Sequence, residues 1–100
     1  MKAIILEPGK APYMQELRGD YAELWNLVDG YIECMRVSSS AVALFDEEGL
    51  LKGKKPGHVI EDVHGFPHHI VGTAVILGVR GGESNFCDVP DSLIRLYNLG

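Results

Sequence analysis

A chain of 100 residues is long enough to build one hydrophobic core and too short to divide, so residues 1–100 are expected to form a single domain. Its 46% hydrophobic and 23% charged residues exclude disordered and collagen-like classes. A net charge of -5 argues against a surface that tracks duplex nucleic acid, and no apolar run nears the roughly 18 residues of a membrane span.

The first element, from Lys2 to Glu7, reads as a strand whose consecutive aliphatic residues are buried on both faces, ended by the turn Pro8-Gly9. Its apolar run is too short for a secretory signal, so a cytoplasmic protein is expected. Pro12 to Leu17 is expected to return as a hairpin partner, with Pro12 confined to an edge or first position. Asp20 then opens a helix, with Glu23 three residues later completing a D-x-x-E capping pattern. Leu24, Leu27 and Val28 share one face of it, beside Tyr21 and Trp25, and Gly30 is the expected cap at its end.

Tyr31 to Val37 and Ala41 to Asp46 form an expected antiparallel hairpin across S-S-S. D-E-E-G makes a turn, and Leu50 to Lys52 is expected to return as a short edge strand. From Gly53 to His69 the breakers Gly53, Pro56, Gly57, Gly65 and Pro67 leave no periodicity, so a long loop is expected. Ile70 to Val79 gives the strongest strand pattern, R-G-G-E-S-N another loop, and Pro90 to Asn98 a last helix. This order implies an α+β fold: a mainly antiparallel sheet of four to six strands with two helices packed on one face. Exposed sheet edges, that around Leu50 above all, imply a homo-oligomer.

M-K-A-I-I-L-E-P-G at the start, V-D-G-Y-I-E after the first helix, F-D-E-E-G-L-L-K-G-K-K-P in the middle and I-V-G-T-A-V-I-L-G near the end resemble a small family of uncharacterised proteins. That family is a domain of unknown function of about this length, found in bacteriophages, plasmids and bacteria that carry them. The resemblance spans nearly the whole chain and rests on turn glycines and strand patterns rather than on catalytic groups. It implies the cytoplasm of a bacterial host as the setting. Gly57 stands where the family pattern implies Asn, and the segment from His58 to His69 is longer and richer in histidine than that pattern.

Among possible chemistries, the histidines come first. His64, His68 and His69 lie close to Glu61 and Asp62, but Gly65 and Pro67 forbid a helix through H-G-F-P-H, and His68 and His69 would point to opposite sides of a strand. Metal-ligand spacing is therefore missing, and no metal or cofactor is expected. Cys34 and Cys87 are far apart with no C-x-x-C and read as buried structural thiols in a reducing compartment. Glu47 and Glu48 read as a solvated turn, and G-V-R-G-G at Gly78 to Gly82 lacks the G-K-[ST] of a phosphate loop.

Lys52, Lys54 and Lys55 are the more specific feature: three cations on one glycine-bearing loop of an acidic chain, joined by Arg80 if the sheet brings it near. Phe66, on a broken segment, is the expected exposed contact. These five residues mark the expected surface for a ligand or partner. The function that follows is a non-enzymatic binding module of a phage or mobile element, with counter-defence as one such role. It would dock on a host protein or capture a small anionic ligand such as a signalling nucleotide. The alternative is a small metal-dependent or Cys/His hydrolase using the histidine-rich segment 58–69.

Overall fold

The computed structural model describes residues 1–100, apart from the side chains of residues 83 and 84. In chain order the elements are β1 (Lys2–Leu6), β2 (Tyr13–Glu16), α1 (Tyr21–Val28), β3 (Ile32–Ser38), β4 (Ala41–Asp46), β5 (Pro56–Glu61), β6 (Pro67–Val71), β7 (Ala74–Arg80), β8 (Gly82–Cys87) and α2 (Asp91–Leu96). Six strands form one antiparallel sheet in the order β2-β1-β7-β4-β3. β8 joins β7 where β1 leaves off: β1 pairs with residues 74–76 of β7, and β8 with residues 78–80. β5 and β6 make a separate hairpin.

The alternation of side chains in β1, β4 and β7 explains how the layers assemble. Ala3, Ile5, Val42, Leu44, Val75 and Leu77 face one way and pack against Leu24 and Val28 of α1. Ile4, Leu6, Ala41, Ala43, Ala74 and Ile76 face the other way and meet Ile60 and Ile70 of the hairpin with Leu93 and Ile94 of α2. The fold class is the α+β arrangement that the residue pattern implies. The two helices, however, lie on opposite faces, because the aliphatic runs of the central strands bury both sides and each side needs a cover. Burial of a Leu or Val of this kind contributes roughly 1.5–3 kcal/mol.

Three segments differ from the sequence expectation. Residues 53–69 are not a loop. Asp62 Oδ1 accepts the N–H groups of His64 and Phe66 at 2.9 and 3.0 Å, and Gly65 takes φ +84, so P-G-H-V-I-E and P-H-H-I-V close as the β5–β6 hairpin. The long run from Ile70 to Val79 is split by Gly72 at φ +85 into β6 and β7. Leu50 and Leu51 belong to a turn rather than an edge strand, and both are strongly exposed.

At α1 the capping pattern behaves as its residues imply: the Asp20 carboxylate accepts the Glu23 N–H at 2.9 Å, and Glu23 accepts the Gly19 N–H at 2.8 Å. The left-handed cap at the other end is Asp29, with φ 57, and not Gly30. Gly30 is there for a different reason, which the site below supplies.

Candidate functional site

Asp46, at the end of β4, is the one buried charged residue among those described, with 1% of its side chain exposed. The N–H of Glu48 donates to its Oδ1 at 2.9 Å. Its Oδ2 is met by Lys54 Nζ at 2.8 Å and Lys52 Nζ at 3.1 Å, contacts of ions rather than well-directed hydrogen bonds. Lys54 also donates to the carbonyls of Val28 at 3.0 Å and of Asp29, so a cation closes the C-terminus of α1 where the helix dipole is negative. Burial alone would raise the Asp46 pKa, but the Lys54 ammonium, the Glu48 N–H and Lys52 outweigh it and hold it at about 2. Gly30 lies against this carboxylate, and a Cβ there would stand 2.6 Å from Oδ1.

Of the lysine cluster, Lys54 thus faces inward, while Lys52 and Lys55 stay exposed. Lys54 spends its ammonium on Asp46 and two helix carbonyls, and Lys52, pushed to a higher pKa by Asp46, lies 5.8 Å above the Tyr31 ring. Lys55 makes no such contact. Arg80 does not join them. Ala41 pairs with Gly78 and Leu44 with Val75, so Arg80 lies beyond the start of β4 and Asp46 at its end, about 20 Å away along the strand. Lys54→Gln is accordingly expected to lower stability by about 3 kcal/mol, as loss of one partner of a buried pair does, and Lys55→Gln by a few tenths. Urea unfolding of the two variants checks this, and equal small effects would return Lys54 to the surface.

The histidines are dispersed as well. His58 Nε2 sits 3.0 Å from the carbonyls of Glu7 and Lys10 at the β1–β2 turn, whereas His68 Nε2 lies 2.8 Å from Asp62 Oδ2. The Asp62 carboxyl is held below its ordinary pKa, chiefly by His68 and then by the turn N–H groups, which outweigh desolvation. Among the described residues no three His, Cys, Asp or Glu side chains gather as metal ligands. Cys34 and Cys87 form no disulfide among the described residues, and both are half-buried.

What the sequence reading missed is a cleft. Between β5 and α2 opens a cavity of about 360 Å³, with Val37 and Ile76 as its floor, residues 59–62 along one wall and Leu93, Leu96 and Tyr97 along the other. That volume lies in the range of ligand pockets. Its rim is apolar and open: Leu96 is 69% and Val59 52% exposed, and desolvation raises the pKa of Tyr97. Phe66, whose carbonyl accepts the Asp62 N–H across the hairpin turn, is 66% exposed and does not line the cavity. Glu61 and Asp62 supply the charge.

Compared with known families, residues 1–98 match the domain of unknown function DUF3846. The chain belongs to this family. No curated protein and no solved structure matches it. The membership assigns no chemistry to the chain. Among the described residues no helix is long and apolar enough to cross a membrane.

Proposed function

We propose that the protein is a non-enzymatic binding module that docks on a host protein through the cleft between β5 and α2, acting in the bacterial cytoplasm on behalf of a phage or mobile element. The observation that carries this reading is the cleft itself, a concave site whose walls leave the apolar side chains of Leu96 and Val59 in water. Large exposed apolar groups around a concavity favour a contact surface over a solvated one. Capture of a small anion is less well supported, since Lys52 and Lys54 are already paired with Asp46 and Arg80 is remote from them.

The test compares immobilised wild type with two surface variants in bacterial host extract, quantified by mass spectrometry. Leu96→Lys places a charge on the cleft wall at little cost to stability, and Lys55→Gln alters the exposed lysine of the cluster that does not meet Asp46. A host protein retained by wild type and by Lys55→Gln but lost on Leu96→Lys supports docking at the cleft. Retention unchanged by Leu96→Lys, or lost on Lys55→Gln, overturns it.

A further inference from the structure

The wall that β5 presents to the cleft is its backbone edge. Four consecutive residues, 59–62, line the cavity, which happens when a strand turns its side rather than its face toward a space. The ladder explains which groups point there. Asp62 donates its N–H to the carbonyl of Phe66 at 2.9 Å, so residue 62 bonds across the hairpin, and residue 60, two positions back, does likewise. Residues 59, 61 and 63 therefore direct their N–H and C=O groups to the other side. At 63 that side is taken: Val63 donates to the Arg36 carbonyl of β3 at 3.0 Å. At Val59 and Glu61 no backbone partner exists among the described residues. An unpaired strand edge thus runs along an apolar groove, with a helix as the opposite wall.

Resting on the docking reading above, we propose that the cleft accepts an extended peptide segment of the partner as an added strand on β5, with apolar residues turned into the cavity and alternating basic residues turned outward. The backbone groups of Val59 and Glu61 supply the pairing, as in recognition by strand addition. The cavity floored by Val37 and Ile76 takes the inward side chains. Glu61, exposed and in no ion pair among the described residues, faces the outward ones, and the chain's net charge of -5 favours a basic partner. Period-two alternation is the requirement that separates this ligand from a helix or a compact small molecule.

The experiment uses a blocked peptide of about six alternating Val and Lys residues, observed by amide NMR of the whole chain. Binding should protect the Val59 and Glu61 amides from exchange. The same peptide N-methylated on the residues that pair should bind wild type more than about tenfold more weakly, because the strand bonds are lost while the side chains stay. Val59→Pro removes an outward N–H that the hairpin does not use, so it should leave the fold intact and weaken binding by a similar factor. Glu61→Gln should reduce binding only at low salt. No binding, equal binding of the N-methylated peptide, or shifts centred away from residues 59–62 would overturn strand addition. A host protein that depends on Leu96 but leaves the Val59 and Glu61 amides unprotected would refute strand addition alone, whereas loss of the Leu96 dependence refutes the docking reading.

Discussion

Asp46→Ala is expected to cost about 3–5 kcal/mol, a large share of the stability of a chain this size. The loss is greater than the net worth of the pairs, because the substitution leaves Lys54, its side chain only 16% exposed, with its ammonium beside two carbonyls at the helix end and its counter-charge gone. The effect has a pH signature. The folded pKa of about 2 lies below the ordinary 3.8, so the stabilisation is fully present above about pH 4 and is lost as pH falls through 2. The difference corresponds to roughly 2 kcal/mol of stability at neutral pH. Urea unfolding from pH 7 to pH 2 checks this: wild type should weaken across the acid range and approach the variant, whose own profile should be flatter. A variant within 1 kcal/mol of wild type at pH 7 would mean that the buried carboxylate is not structurally coupled to the lysines.

Gly30→Ala is the second large effect, about 2–3 kcal/mol, from overpacking rather than from lost charge. The backbone at Gly30 lies outside the left-handed region, so Ala meets no strain there, and the cost comes from the new methyl falling on the Asp46 carboxylate. In an Asp46→Ala background that obstacle is absent. There Gly30→Ala should cost less than about 0.5 kcal/mol and can stabilise by narrowing the unfolded ensemble. Thermal unfolding of the four proteins of this cycle measures the coupling, and additive losses would show that Gly30 serves some other purpose.

Much of this fold is legible in the residues. Ala3 to Leu6, Ala41 to Leu44 and Ala74 to Leu77 are unbroken apolar runs, and such runs mark strands covered on both sides. Such runs imply a cover on each side, which the expectation of both helices on one face overlooked: α1 covers one side, and α2 with the hairpin covers the other. The β5–β6 hairpin was harder to see because glycines and prolines usually end elements. Here Gly57 sits where a Cβ would meet the Gly72 carbonyl at 2.6 Å, and Gly65 serves the turn, so both belong to the hairpin instead of interrupting it. The usable signal was the pair of short β-branched runs, Val59-Ile60 and Ile70-Val71, spaced about D-V-H-G-F.

The candidate site was less legible, for reasons of geometry. The lysines of residues 52–55 form a real cluster in sequence, but their partner Asp46 is buried at a strand end that spacing does not reveal. Arg80 and the lysines are parted by the antiparallel register of β4 and β7. Phe66 was placed correctly as an exposed aromatic, whereas Leu96 and Val59 look like ordinary core residues until α2 and the hairpin leave a gap between them.

The most direct measurement is hydrogen exchange of the chain alone and in complex with the host protein it retains, resolved to single amides. Docking at the cleft predicts protection along residues 93–97, to which strand addition adds Val59 and Glu61, with residues 52–55 and Arg80 unchanged. Protection centred on Lys52, Lys55 and Arg80 that leaves residues 93–97 exchanging as in the free chain would contradict docking at the cleft.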